Sequence, residues 1–480
     1  MLNFRGIKQK GYILYANNIL VDPYQEKAIL CMNNCLLIAG AGAGKTFTIL
    51  GKVKYLLEQQ IYSESEILLI SFTNKSVEDL RKKLPYKLDI FTFHKLAMHI
   101  LDDYKIYYEL SDVNTLALII DQFFHSLEDI QLQNAILHFF KEYDYNHFLH
   151  SPKYTTLAKT ISTFIGLYKT CDCSYEDIKN VFYADSFLMK LILIIMKLYE
   201  NELGSASKYD FDDLIKKATD VLNKPYKYKY IIIDEFQDTS MLRWQLVCKL
   251  MHLNKALLFA VGDDFQSIYH FSGCNVNLFL DFDKIVPNAS VLKLKYTYRN
   301  SQKLIDFAGR FVVKNPVQVK KELQSNKVNK RPIRFITYIN ACKGLKHLLN
   351  KLILIYDDIL ILQRNNKDID RFIDHNFTIQ DTFLLYKNKK IRFLTVHSSK
   401  GLEADVVIII NLIDAMMGFP NKIVNAKVID AINKLEDNYP YAEERRLFYV
   451  ALTRTKNEVY LLIPFSKKSV FVKELKKIVH

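Results

Sequence analysis

Two stretches of the sequence carry residues whose types and spacing could handle a nucleoside triphosphate. The first is Ala39-Gly40-Ala41-Gly42-Ala43-Gly44-Lys45-Thr46, which follows an apolar run, Cys35 to Ile38, and precedes a helical pattern, Phe47 to Leu57. A strand that feeds a glycine-rich loop opening a helix turns successive backbone N–H groups inward around phosphate oxygens. Ala41, Gly42, Ala43 and Gly44 supply that cradle, Lys45 a charge for the β- and γ-phosphates, and Thr46 a hydroxyl for Mg²⁺. The strict pattern has Gly at position 39; the backbone makes the cradle, so Ala39 serves there as long as its φ is negative. The second stretch is Ile231-Ile232-Ile233-Asp234-Glu235-Phe236-Gln237-Asp238, an apolar run that ends in acids. A central parallel strand delivers carboxylates in this way to its C-terminal edge, where open α/β sheets bind ligands. Neighbouring residues at a strand end point in different directions. Asp234 is therefore assigned to Mg²⁺, and Glu235 to orienting and deprotonating the water that attacks the γ-phosphorus.

These groups must be held by an α/β scaffold, and the texture of the chain agrees. Residues 20–98 alternate strand-like runs (Cys35 to Ile38, Ile67 to Phe72) with helical segments, as a parallel sheet requires. From Leu101 to about Asp210 the pattern is almost wholly helical. Strands return at Tyr230 to Ile233, Ala256 to Val261 and Val291 to Lys293, so the helical block reads as an insertion in the first α/β unit. A second α/β section starts near Tyr298, with strands expected at Ile333 to Tyr338, Asp358 to Leu362, Arg392 to Val396, Val406 to Asn411 and Glu458 to Ile463. The lysine-rich stretch Lys320 to Arg331 reads as a solvated surface loop.

Composition narrows the partners. With 66 Lys+Arg against 52 Asp+Glu the 480-residue chain carries a net charge of +14, which suits a phosphate backbone, and 30 Tyr and 31 Phe offer stacking surfaces for unpaired bases. Seven cysteines without paired CxxC spacing or nearby histidines indicate neither zinc nor a disulfide framework; Cys31/Cys35 and Cys171/Cys173 read as small buried hydrophobes. No run of about 18 apolar residues predicts a membrane span. Arg5, Lys8 and Lys10 precede no signal-peptide core, which points to the cytoplasm.

Motifs along almost the whole chain then occur in the order of a known family. Gln25 in Val21-Asp22-Pro23-Tyr24-Gln25 resembles an adenine-reading Gln ahead of a P-loop. Ser71-Phe72-Thr73-Asn74-Lys75 and Thr92-Phe93-His94-Lys95 resemble motifs that line a single-strand path, and Asp210-Phe211-Asp212-Asp213-Leu214 the return from a helical insertion. Val261-Gly262-Asp263-Asp264-Phe265-Gln266-Ser267-Ile268-Tyr269, Tyr298-Arg299, Thr395 to Glu403, and Glu443 to Arg454 follow. The chain thus resembles superfamily 1 helicases of the UvrD/Rep/PcrA type, and the run Arg310 to Leu323 most resembles the bacterial DNA helicase IV branch.

The resemblance implies two RecA-like parallel-sheet P-loop domains: the first from 1–98 and 208–296, a helical insertion 99–207, and the second from 297–480. It implies ATP and Mg²⁺, with Gln25, Tyr298 and Glu403 at the nucleotide, and Gln266, Arg299 and Arg454 at the γ-phosphate beside Lys45 and Glu235. Phe72, Thr73, Asn74, Thr92, His94, Tyr269, Phe271 and His397 would contact single-stranded DNA; His94, Tyr269 and His397 also have purely structural readings, since rings and histidines are common in cores.

Three departures stand out. Phe47 occupies a position where relatives commonly carry Arg, and Phe271-Ser272-Gly273 replaces the more usual Trp-Arg-Gly. About a hundred residues separate Arg299 from His397, so the large second insertion of relatives is expected to shrink to roughly 367–390. The leading expectation is an ATP-dependent 3′→5′ translocase or helicase acting on single strands and single-strand/duplex junctions. The alternative is a DNA-stimulated ATPase subunit that senses ends or single strands for a separate effector, such as a nuclease, in a repair or phage-defence complex.

Overall fold

The computed structural model describes residues 15–16, 19–171, 173, 175–205, 207–433 and 439–479; Arg5, Lys8 and Lys10 lie outside them. Two sheets organise the chain. The first has six parallel strands in the spatial order Ser290–Lys293, Cys35–Ile38, Leu257–Gly262, Tyr230–Ile233, Ile67–Ile70 and Asp89–Phe91. Four of these, Cys35–Ile38, Leu257–Gly262, Tyr230–Ile233 and Ile67–Ile70, are apolar nearly throughout because helices cover both faces. Leu36, Ile231 and Ile233 face one core layer and Leu37, Ile232 and Val261 the other.

The second sheet runs Ile333–Tyr338, Thr455–Pro464, Ala404–Ile409, Ile359–Gln363 and Lys389–Thr395 in parallel, then Phe383–Tyr386 and Thr378–Gln380 as an antiparallel hairpin. The α/β class expected from sequence is the one observed. The hairpin is an addition: residues 364–388 hold a short turn of helix at Asp368–Arg371 and these two edge strands, continuous with the sheet.

Between Asp89–Phe91 and Tyr230–Ile233 the chain leaves the first sheet for a helical block that includes Thr115–His125, Ile130–Phe140, Pro152–Thr170 and Ser186–Ser205. Its core gathers Phe124, Phe148, Ile161, Phe164 and Ile192. A short parallel pair, Glu109–Leu110 with Lys208–Tyr209, forms its neck. Beside that neck Lys169 is enclosed by Asp210 (2.5 Å) and Asp213 (2.9 Å), and Tyr199 donates to Asp210 at 2.9 Å. The helix Lys427–Ile432, contributed by the later part of the chain, packs Val428, Ile429 and Ile432 into the same core.

Two sequence expectations need correction. Cys171 and Cys173 form a disulfide in the structure instead of two separate buried thiols; their spacing sets the Cα atoms 5.3 Å apart, within disulfide reach. The stretch Lys320 to Arg331 is not simply a solvated loop. Thr297 N–H donates to Gln324 O (2.9 Å) and Gln324 N–H to Lys295 O (2.7 Å), Leu323 lies against Gly40, and the Lys321 side chain is only 4% exposed. Charge patterning misses this because the compensating acids, Asp263 and Asp264, lie far away in sequence. Among the described residues no helix is long and apolar enough to cross a membrane.

Candidate nucleotide pocket and nucleic-acid face

The helix Lys45–Glu58 begins directly after the glycine-rich loop, and its N-cap, Gly44, has no side chain with which to satisfy the first N–H groups. A helix end of this kind attracts an anion. Gly42 could be nothing else: its φ is +69°, and a Cβ there would lie 2.4 Å from that of Arg299. The loop is held from the second half of the chain, with Tyr298 N–H donating to Gly42 O at 2.9 Å and the Thr297 hydroxyl to Ala41 O at 2.8 Å.

A pocket of ≈ 600 Å³ opens over the loop, lined by Gly42, Ala43, Gly44, Lys45, Thr46, Phe47, Glu235 and Gln266 from one side and Tyr298, Arg299, Glu403 and Arg454 from the other. Lys45 Nζ lies 2.6 Å from Glu235 Oε2. Glu235 has a left-handed backbone (φ 54°, ψ 42°), a conformation that costs a non-glycine residue about 1–3 kcal/mol and is concentrated at functional sites. Burial pushes the Asp234 carboxyl well above the usual range, reinforced by the Glu235 charge. Burial acts in the same sense on Glu235, but Lys45 and Lys400 outweigh it and hold that carboxyl low. Buried Asp234 and the Thr46 hydroxyl are the hard oxygens that Mg²⁺ takes when phosphates and water complete its shell, so the residues fit that ion.

The two later arginines face the same space. Arg454 Nη2 donates to Gln266 Oε1 at 2.9 Å, and Arg299 Nε to Glu403 Oε2 at 2.8 Å. Burial lowers the Arg454 pKa to about 9, and the neighbouring Arg299 charge adds to the effect. Two guanidinium groups that repel each other beside Lys45 make a polyanion-shaped gap. Gln25 is buried, with Oε1 accepting from Asp22 N–H at 3.0 Å, and the Tyr298 hydroxyl donates to Asp22 Oδ2 at 2.7 Å.

Several site residues escaped the sequence reading. Gln237 joins the acids to the next strand: its Nε2 donates to Glu235 Oε2 (2.7 Å) and its Oε1 accepts from Asp263 N–H (2.9 Å). Gly262 permits this, since a Cβ there would meet Gln237 Oε1 at 2.4 Å. Lys400 pairs with Asp238, donates to Gln266 O at 2.7 Å and lies over the Tyr269 ring at 4.9 Å. Arg446, fully buried, donates to Ser267 O at 2.7 Å. The position of Gln237 beside the two acids was the available signal for it; Lys400 and Arg446 gave none beyond their places in recognised motifs.

The residues expected at a nucleic acid divide into two groups. Tyr269, Phe271 and His397 form one aromatic cluster, with Phe271 and His397 rings 5.6 Å apart and the Tyr269 hydroxyl donating to His397 O at 3.2 Å. Phe271 is 54% exposed and free to stack. In the other group His94 lies 4.8 Å from the Phe211 ring, Phe72 packs edge-on to Phe93, and Arg243 covers both phenylalanines. Thr73 and Thr92 cap the helices that follow them, and Asn74 is exposed at the start of the first of these. Burial lowers His94 and His397 to about 4, so at neutral pH both rings are neutral and offer faces and N–H groups rather than charge.

Comparison with known proteins adds a lineage to this geometry. Residues 21–287 match the UvrD/REP helicase N-terminal domain and residues 377–464 the UvrD-like helicase C-terminal domain. The chain is 30% identical over 492 residues to DNA helicase IV of Escherichia coli (strain K12), covering 95% of this chain and 70% of that protein. It is 28% identical to a probable DNA helicase II homolog of Mycoplasma capricolum subsp. capricolum (87% and 57%) and 28% identical to the ATP-dependent DNA helicase Rep of Buchnera aphidicola subsp. Schizaphis graminum (71% and 53%). The chain thus spans little more than half the length of the last two.

Proposed function

This chain belongs to the UvrD/REP helicase family, and from that premise we propose that it is an ATP-driven motor that moves 3′→5′ along single-stranded DNA and parts the duplex ahead of it. One lobe comprises residues 1–98 and 208–296, the other 297–480, and the helical block 99–207 flanks the strand. One observation carries the reading: Lys45, Glu235 and Gln266 from the first lobe and Arg299 and Arg454 from the second line a single pocket. Hydrolysis then needs both lobes, and each nucleotide state favours a different approach between them.

Bound ATP would supply the phosphoryl group, and Mg²⁺ held by Thr46 and Asp234 would supply charge to neutralise it. Lys45 turns from Glu235 towards the phosphates. Freed of its ammonium partner, the Glu235 carboxylate becomes a stronger base, accepts a proton from the attacking water and directs the oxygen at the γ-phosphorus, whose bond to the β,γ-bridging oxygen breaks as ADP leaves. Arg299 and Arg454 neutralise charge growing on the γ-oxygens, and Gln266 reports their position to the aromatic cluster through Ser267, Ile268 and Tyr269. There Tyr269, Phe271 and His397 hold bases by stacking, while Phe72, Thr73, Asn74, Thr92 and His94 hold the strand farther along.

The polarity rests on the resemblance and has a direct test. Duplexes with a 3′ single-stranded tail are expected to be displaced, and those with a 5′ tail to remain intact; displacement from 5′ tails alone would reverse the assignment. The hairpin Thr378–Tyr386, in place of a large inserted domain, favours a second reading, a DNA-stimulated ATPase that reports to a separate effector. Stimulated turnover with no displacement on any tailed duplex would select it.

A further inference from the structure

We propose that Lys321 is a positioning residue for ATP hydrolysis: from the segment that reaches back over the first sheet, it fixes the plane of the Asp263 carboxylate and so the orientation of the Gln266 amide. The assignment rests on the motor reading above and goes beyond its residues, because Lys321 does not line the pocket.

The Lys321 ammonium is enclosed between Asp263 and Asp264, 2.5 Å from the Asp264 carboxylate, and the Asp263 and Asp264 side chains are fully buried. It also lies 3.5 Å from the centroid of the Phe265 ring. Next to it Val319 N–H donates to Asp264 Oδ2 at 2.8 Å, so backbone and side chain together tie the segment to the end of the strand Leu257–Gly262. Asp263 passes the constraint on. Its Oδ2 accepts from Gln266 Nε2 at 2.6 Å, and Gln266 Oε1 in turn accepts from Arg454 Nη2 at 2.9 Å.

That chain depends on where the Asp263 carboxylate points. Lys321 holds its Oδ1 while Oδ2 receives the Gln266 NH₂, so the two contacts fix the carboxylate plane from opposite sides. Without the ammonium the carboxylate is freer to rotate about its Cβ–Cγ bond, and Gln266 loses the acceptor that sets which end of its amide meets Arg454. With Lys321 in place Asp263 Oδ2 stays against Gln266 Nε2, and the carbonyl end of Gln266 is the end that faces the arginine. The same segment touches the phosphate loop, since Leu323 occupies the space a Cβ on Gly40 would need. A shift of the loop on nucleotide binding is thereby felt at Lys321.

The test is steady-state phosphate release by the full chain with saturating oligo-dT. Lys321→Met is expected to lower kcat about tenfold with KM for ATP and oligo-dT affinity within about twofold, and Lys321→Arg to restore part of the loss. In a Gln266→Ala background the same substitution should change kcat by less than about twofold, because the two residues act through one path. If Lys321→Met does not fold, the pair Lys321→Met/Asp264→Asn preserves the cluster's net charge, and its kcat should still fall, since Asp263 has lost its cation. Unchanged kcat in either folded variant, or an equal loss in the Gln266→Ala background, overturns the assignment. An unaltered chain that releases no phosphate overturns the motor reading and this inference with it, whereas active chain with indifferent Lys321 variants overturns this inference alone.

Discussion

Replacing Arg454 with alanine is expected to lower ATP turnover at saturating nucleotide by about 10³-fold, the lower end of the range for an arginine that meets a phosphoryl group from a second domain. The side chain is buried, its guanidinium bonded to Gln266 and to Leu402 O, and it comes from a different part of the chain than the phosphate loop it faces. Its proximity to Arg299 raises the cost of the empty state, and this cost is relieved when negative charge fills the gap between them. The loss should therefore appear in kcat far more than in KM, because charge on the γ-oxygens is greatest in the transition state. Arg454→Lys keeps a charge but not the planar fork, and should recover little. Phosphate release with and without oligo-dT measures both; a loss of less than tenfold in a folded Arg454→Ala protein would remove this residue from the chemistry.

Lys45→Ala should abolish turnover to the limit of detection, at least about 10²-fold, while oligo-dT binding without nucleotide stays close to that of the unaltered chain. The separation follows from geometry. Lys45 is bonded to Glu235 in the pocket, whereas the exposed Phe271 ring belongs to the other cluster with Tyr269 and His397. Losing the ammonium also leaves Glu235 without its main opposing charge, so its proton affinity should rise from its depressed value. Fluorescence anisotropy with labelled oligo-dT alongside phosphate release tests the pair of outcomes; parallel loss of both would place Lys45 in the strand-binding face.

The parts that could be read from the sequence were those whose chemistry is local. Glycines at fixed spacing before Lys45, and an isoleucine run ending in Asp234-Glu235, each state their geometry within a few residues, and the strands Cys35–Ile38, Tyr230–Ile233 and Ile333–Tyr338 fall where the apolar runs placed them. The strand expected at Glu458 to Ile463 runs longer, Thr455–Pro464, because Thr455 pairs with Ala404 ahead of a register shift between Ala404 and Val406. The hairpin Thr378–Tyr386 was missed, since short edge strands with one exposed face carry little apolar signal. Lys321 misleads for a different reason. A lysine looks solvated until its two acids are found, and those lie just past the end of the strand Leu257–Gly262. Gln237 and Lys400 share that difficulty, as their partners are defined only once the strands are side by side.

The helical block is held to the first half by its neck and by the helix Pro152–Thr170, which packs on His270–Ser272 and Met241–Asn254, and to the chain that belongs to the second by Val428, Ile429 and Ile432. A body held to both halves is a linkage and not a free appendage. A change in the angle between the sheets would strain the neck at Glu109–Leu110 and the seat of Pro152–Thr170, or drag Lys427–Ile432 across the block, and so would reach the block as leverage.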